Sequence, residues 1–181
     1  LKKVLLWMYK NSIQKPLFFL IFCVGLSSCG IWHKVKQFVG LEKSEYIQNY
    51  SFREINSIID RLKTFTGVPY KTGGIDENGM DCSGLLYTSY KLEGFEIPRL
   101  SKDQSNFGLP VSIDQITIGD WIFFKTNGST IINHAGIVTK NKGGFDITFI
   151  HSSTSKGVRE DNLTNKFWNK SFVKVIRPFK N

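Results

Sequence analysis

A cysteine and two histidines are the residues of this chain whose types and spacing could do chemistry. Cys82 sits in Gly79-Met80-Asp81-Cys82-Ser83-Gly84, directly before a run with helical spacing. His134 and His151 each lie in or at the end of an apolar stretch that reads as a strand. A thiol at a helix start supplies a nucleophile, and two strand-borne imidazoles supply a general base and a partner that orients it. Unpaired N–H groups and the positive end of the helix dipole favour a thiolate, so the expected effect on Cys82 is a lowered pKa. The same N–H groups are candidates for an oxyanion hole. Two bland alternatives stand beside this one. An isolated cysteine is commonly a small buried hydrophobe. Cys82, His134, His151 and a carboxylate such as Asp81 also make a zinc-type ligand set, although the sequence lacks the closely spaced ligand pair usual in such sites.

The elements that must position these residues follow from periodicity. Ser51 and Glu54 form a capping box, and Phe52, Ile55, Ile58, Ile59, Leu62 and Phe65 then recur at helical spacing until Gly67 and Pro69 stop the run. A second helix is expected from about Cys82 to Leu92, with Leu85, Leu86, Ser89 and Leu92 on one face. Trp121 to Phe124, Ile131 to Thr139 and Phe145 to His151 read as strands, the last two joined by a turn at Gly143-Gly144. Side chains of a strand alternate between faces, so His134, Gly136 and Val138 share one side, as do Ile147, Phe149 and His151. Antiparallel pairing centred within that turn puts His134 directly opposite His151. The fold class expected is α+β: helices first, then a mostly antiparallel sheet with the Cys82 helix packed against it.

Six stretches in order carry a resemblance: Val68-Pro69-Tyr70 with Gly73-Gly74; Asp81-Cys82-Ser83-Gly84; Pro98-Arg99 with Ser101 and Gln104; Gly119-Asp120-Trp121-Ile122-Phe123-Phe124; His134-Ala135-Gly136-Ile137-Val138; and His151-Ser152-Ser153 with Lys156-Gly157-Val158. Over roughly residues 52 to 178 the chain resembles the NlpC/P60 cysteine peptidases, which cut peptide cross-bridges or stems in bacterial peptidoglycan. The resemblance implies a papain-like core with Cys82 as nucleophile, His134 as base and His151 as the orienting residue. It implies Tyr70, Asp81, Ser83 and Arg99 as contacts to the stem peptide, although Asp81 and Ser83 read equally well as helix-start residues. It implies peptidoglycan stem peptides as partner, a cut between D-glutamate and the diamino acid that follows, and no metal or organic cofactor. Two other classes stay open. One is a wall-peptide-binding domain without activity, against which the intact Cys82, His134 and His151 speak. The other is a different acyl-transfer chemistry on the same core, such as an amidase, acyltransferase or transglutaminase-like enzyme.

The first 28 residues read as an address. Lys10 and Lys15 flank Pro16 and the apolar run Leu17 to Leu26, which is too short to span a bilayer. Leu26-Ser27-Ser28-Cys29 resembles a lipobox, which implies lipidation of Cys29 and a protein held by lipid in the bacterial cell envelope, facing the periplasm. An ordinary cleaved signal or an uncleaved anchor is the alternative, and the start residue stays open between Leu1 and Met8. Residues 29–50 then form a polar tether, too short for the SH3-like module that many relatives carry, and 51–181 the catalytic domain. With Cys23 in the removed segment and Cys29 lipidated, Cys82 is the free thiol.

Composition agrees. The chain has 181 residues, 41% of them hydrophobic and 14% aromatic, which suits one globular domain with a real core. Four of the positive charges behind the net +9 are Lys2, Lys3, Lys10 and Lys15, and without them the balance from Cys29 onward is +5. That excess suits an anionic wall or lipid surface. No basic patch interleaved with stacking aromatics appears, so nucleic acid is not an expected partner. Oligomeric state is not legible.

Overall fold

Ser51 starts the first helix as the capping box predicts. Its Oγ accepts the Glu54 amide at 3.3 Å, and the Glu54 carboxylate accepts the Ser51 amide at 2.6 Å. The structure is a computed structural model that describes residues 50–179; the address segment, Cys29 and nearly all of the tether lie outside the described residues. Helix α1 (Phe52–Thr64) buries Ile55, Ile58, Ile59 and Leu62. Phe52, expected to open that face, is instead exposed, because it lies a turn beyond Ile55, the outermost buried residue.

A two-stranded hairpin, β1 (Ile75–Asp76) and β2 (Gly79–Met80), leads into α2 (Cys82–Leu92), whose bounds match the expected ones. Leu85, Leu86 and Ser89 are buried as expected. Leu92 is exposed, and Tyr90 takes the inward place, its hydroxyl accepting the Trp121 indole N–H at 2.8 Å. After the short α3 (Ser101–Gln104) come β3 (Leu109–Val111), β4 (Trp121–Phe124), β5 (His134–Asn141), β6 (Ile147–Ser153), β7 (Gly157–Asn162), α4 (Lys166–Ser171) and β8 (Phe172–Arg177). The six longer-range strands form one sheet in the order β3-β8-β4-β5-β6-β7, every neighbour antiparallel. The fold class is therefore α+β, as expected.

Both faces of this sheet are covered, which explains why all four residues of β4 are buried. On one face Trp121, Phe123, Ala135, Ile137 and Ile150 pack with Leu85 and Leu86 of α2 and the Ile residues of α1. On the other, Ile122, Phe124, Val138 and Phe149 pack under Trp168 of α4. The C-terminal strand β8 enters beside β4 and is pinned there. Arg177 reaches the wholly buried Asp120 carboxylate through Nε at 2.9 Å and Nη2 at 2.9 Å, a charge that would be costly to bury unpaired.

Candidate active site

The nucleophile end of α2 is held by a polar clamp. Asp81, the N-cap, accepts the Gly84 amide at 2.6 Å through Oδ1 and the Gly73 amide at 2.8 Å through Oδ2. Arg99 closes on both oxygens, at 3.0 and 2.8 Å, and donates to Ser83 Oγ at 2.9 Å. Two-pronged pairing of this kind fixes direction as well as distance. A side-chain carbon at Gly84 would run into the Gly74 carbonyl oxygen, so the close approach of the 71–81 loop to the helix requires glycine there. Burial works against the Asp81 charge, but Arg99 and the Gly84 and Gly73 amides hold its carboxyl below the ordinary range. Tyr70 stands on the same wall, partly exposed. Burial raises its phenol, a hydrogen bond with Thr72 opposes that, and Cys82, Asp81 and Arg99 are near enough to act on it.

Cys82 itself is buried, with 5% of its surface exposed. Its Sγ lies 3.8 Å from the Asn133 carbonyl oxygen and within reach of the Ala135 amide, so the thiol abuts the backbone on both sides of His134. The lowered pKa expected from the helix terminus is not what the site produces. Burial pushes the thiol up to about 11, and the amides of Ala135, Ser83 and Cys82 offset this only in part. The proton stays on sulfur at neutral pH.

His134 Nε2 lies 2.9 Å from His151 Nδ1, and His151 Nε2 lies 3.0 Å from Asp161 Oδ2. The two imidazoles meet, but not in the expected register. Ile137 pairs with Ile150, so continuing the ladder puts Gly136, not His134, opposite His151. The hairpin closes through a longer turn over residues 142–146, and a bulge between Val138 and Lys140 shifts the ladder again. His134 and His151 are thus diagonal neighbours, a separation that long side chains bridge. Gly136 makes room for this: a side-chain carbon there would lie 2.9 Å from the Ile150 carbonyl oxygen and 3.3 Å from the His151 Cβ. Trp168 stacks on the His134 ring at 5.2 Å between centroids and meets His151 edge-on at 4.7 Å.

Asp161, on β7, is the residue of this site that sequence reasoning missed. Its carboxylate also takes Arg159 Nη2 at 2.9 Å through Oδ1. Burial disfavours its charge, but the His151 hydrogen bond and the Arg159 guanidinium outweigh burial and hold it below the ordinary carboxylate range. With one proton on each ring, the chain of acceptors fixes both tautomers. The carboxylate takes His151 Nε2–H, His151 Nδ1 accepts from His134 Nε2–H, and the lone pair of His134 is left on Nδ1. Each facing nitrogen is engaged in a hydrogen bond, which is an orienting arrangement and not a ligand set. Among the described residues no three His, Cys, Asp or Glu side chains are grouped to hold a metal ion.

Burial holds His134 down to about 3 from an ordinary 6.5, against the pull of the Asp161 and Asp81 carboxylates. The unfolded chain therefore takes up this proton first as pH falls. The stabilising contribution is whole above about pH 6.5 and is lost toward pH 3, at about 1 kcal/mol per pH unit. Thermal unfolding temperatures should accordingly drop between pH 6.5 and 4.5, before the carboxylates titrate, and His134→Gln should flatten that slope. An unchanged slope in the variant means that His134 is not the group responsible.

The structure thus gathers Tyr70, Asp81, Ser83 and Arg99 around Cys82, and joins His134 to His151. Residues 67–177 match the family model described as the NlpC/P60 family. The chain is 36% identical over 128 residues to the probable endopeptidase NlpC of Escherichia coli (strain K12), covering 70% of this chain and 80% of that protein. It is 37% identical over 124 residues to the gamma-D-glutamyl-L-lysine dipeptidyl-peptidase of Bacillus subtilis (strain 168), covering 67% of this chain and 40% of that protein. It is 34% identical over 121 residues to the murein DD-endopeptidase MepS/murein LD-carboxypeptidase of Escherichia coli (strain K12), covering 66% and 61%. Among solved structures, an NlpC/P60 family protein from Bacillus cereus ATCC 10987 superposes with a TM-score of 0.62 at 29% identity, over 68% of this chain and 40% of that one.

Proposed function

The chain belongs to the NlpC/P60 family, and on that premise we propose that it is a thiol endopeptidase of peptidoglycan stem peptides, cutting between D-glutamate and the diamino acid that follows. The observation that carries this reading is the hydrogen-bonded series Asp161, His151, His134, which ends on the strand segment against which the Cys82 thiol packs. The bond chosen draws support from the relative named a gamma-D-glutamyl-L-lysine dipeptidyl-peptidase. The relative named a DD-endopeptidase and LD-carboxypeptidase favours a second reading, a cut later in the stem or in its cross-link.

The mechanism follows from the site. Cys82 rests as a neutral thiol. As Sγ bonds to the carbonyl carbon, the carbonyl electron pair moves to oxygen and the thiol proton passes to His134 Nδ1. The first N–H groups of α2 receive the oxyanion. The ionised Asp161, acting through His151, stabilises the imidazolium that forms on His134. Collapse breaks the C–N bond, and His134 gives its proton to the leaving amine. Water then hydrolyses the thioester with His134 as base. Tyr70 and Arg99, partly exposed on the Cys82 wall, are the side chains left to meet the acyl half of the substrate. Asp81 and Ser83 act through the Arg99 they hold.

Digestion of purified muropeptides, with products identified by mass, tests the reading. Free fragments beginning with the diamino acid support it. Separation of cross-linked dimers into monomers favours the second reading, and a freed sugar lactyl group means an amidase. The orienting role of His151 has its own test. The Oδ1 of asparagine can take the place of the His151 Nδ1 acceptor, so His151→Asn should keep much of the turnover. His151→Ala should lose on the order of 10²-fold, because the base then has neither tautomer nor rotamer fixed. Equal losses in both would assign His151 another role.

Envelope location through a lipid on Cys29 belongs to the same proposal and rests on the sequence. Among the described residues no helix is long and apolar enough to cross a membrane. Cys29→Ala should release the protein from the membrane fraction; a variant that still sediments with membranes points to another anchor.

A further inference from the structure

A cleft of about 270 Å³ opens beside His134 on the α4 side of the sheet, and Cys82 is not among the residues that line it. Its charged residues are Lys156, Arg159 and Asp161. Asp161 is already engaged through both oxygens, with His151 and with Arg159. What remains to face a ligand is a set of donors. The Lys156 ammonium and the hydroxyls of Ser153, Thr154 and Ser155 follow one another along the end of β6 and its turn. None of them forms a side-chain hydrogen bond or ion pair among the described residues. Trp168 and Phe167 supply an apolar wall. A pocket of this size with one uncommitted cation, several hydroxyls and an aromatic side suits a single carboxylate on a short aliphatic stem.

The placement says which part of the substrate arrives there. Cys82 takes the acyl half, and His134 hands a proton to the departing amine. A cleft that opens on His134 and away from the thiol therefore receives the residue on the amine side. We infer that this cleft is the leaving-residue subsite and binds a free carboxylate carried by that residue, with Lys156 as its charged contact. The inference rests on the roles given above to Cys82 and His134, and under the bond proposed there the residue is the diamino acid, with the carboxylate at the end of its side chain.

Two synthetic stem peptides identical except for a carboxylate or a carboxamide at that side-chain end provide the test. Calorimetric titration into the full-length Cys82→Ala protein should show the carboxylate form binding roughly tenfold more tightly, a preference that shrinks as salt is raised. Adding Lys156→Gln should bring the two peptides within about twofold of each other while leaving the affinity of the carboxamide peptide unchanged. Equal affinities in the Lys156-containing protein, or a Lys156→Gln change that weakens both peptides alike, overturns the inference. Cleavage by the full chain with Cys82 intact separates this from the functional reading. Peptides that bind with the tenfold preference but are cut at another bond support the subsite and remove the bond assignment. Peptides both cut at the proposed bond with equal KM uphold the bond assignment and overturn the subsite.

Discussion

Cys82→Ser is expected to yield a folded protein whose turnover of stem peptides falls by about 10⁴-fold or more. The substitution changes little in packing: the side chain's polar contacts are with backbone, a long one to the Asn133 carbonyl at 3.8 Å and the Ala135 amide on the other side, and serine fits the same space. What changes is the proton that His134 must remove. The imidazole is a weak base in its buried setting, held down to about 3, and a hydroxyl gives up its proton far less readily than a thiol. Unfolding temperature and product masses on the same sample decide the matter. A serine variant that keeps more than a trace of turnover, with the same product, removes Cys82 as the nucleophile.

Asp161→Asn should cost on the order of 10²-fold in kcat or more, at least as much as Asp161→Ala, with KM little changed. An amide has one acceptor where the carboxylate has two, and Arg159 can only donate. With the amide oxygen drawn to Arg159, the NH₂ group faces His151 Nε2 and forces the ring proton onto Nδ1. His151 then donates to His134 Nε2, and the proton of His134 moves to Nδ1, where the lone pair is needed. The alanine variant merely leaves the tautomers unguided. Removing Arg159 in the asparagine background frees the amide to turn its oxygen toward His151, so the double variant should regain part of the loss. Wild-type kcat in Asp161→Asn, or no effect of Arg159 in that background, shows that Asp161 does not set the tautomers.

Much of this site can be read from local pattern, and the unreadable parts share a cause. Helix α1 and helix α2 are legible because a capping box and a 3.6-residue period need only neighbouring residues to express them. Strand β4 is legible as a short apolar run. The pairing of His134 with His151 is legible in outcome but not in register, since neither the longer turn nor the bulge between Val138 and Lys140 leaves a mark in the composition. Strand β7 escapes notice because Arg159, Glu160, Asp161 and Asn162 are polar throughout and show no alternation. Asp161 escapes with it, because its role exists only across the strand pair with β6. The state of the thiol is invisible for a similar reason. A helix terminus can be located from sequence, whereas the burial that outweighs it is made by residues far along the chain.

The buried, protonated thiol of Cys82 has a further consequence, for chemical durability. Peroxide and alkylating reagents attack the thiolate, and a sulfur with little ionisation and 5% of its surface exposed offers them little to react with. Mixed disulfides form slowly at such a sulfur for the same reason. The nucleophile is released only in the step that uses it, when a carbonyl carbon is within bonding distance and His134 takes the proton. The sulfur, the only cysteine among the described residues, is thereby spared side reactions that would consume an exposed thiolate.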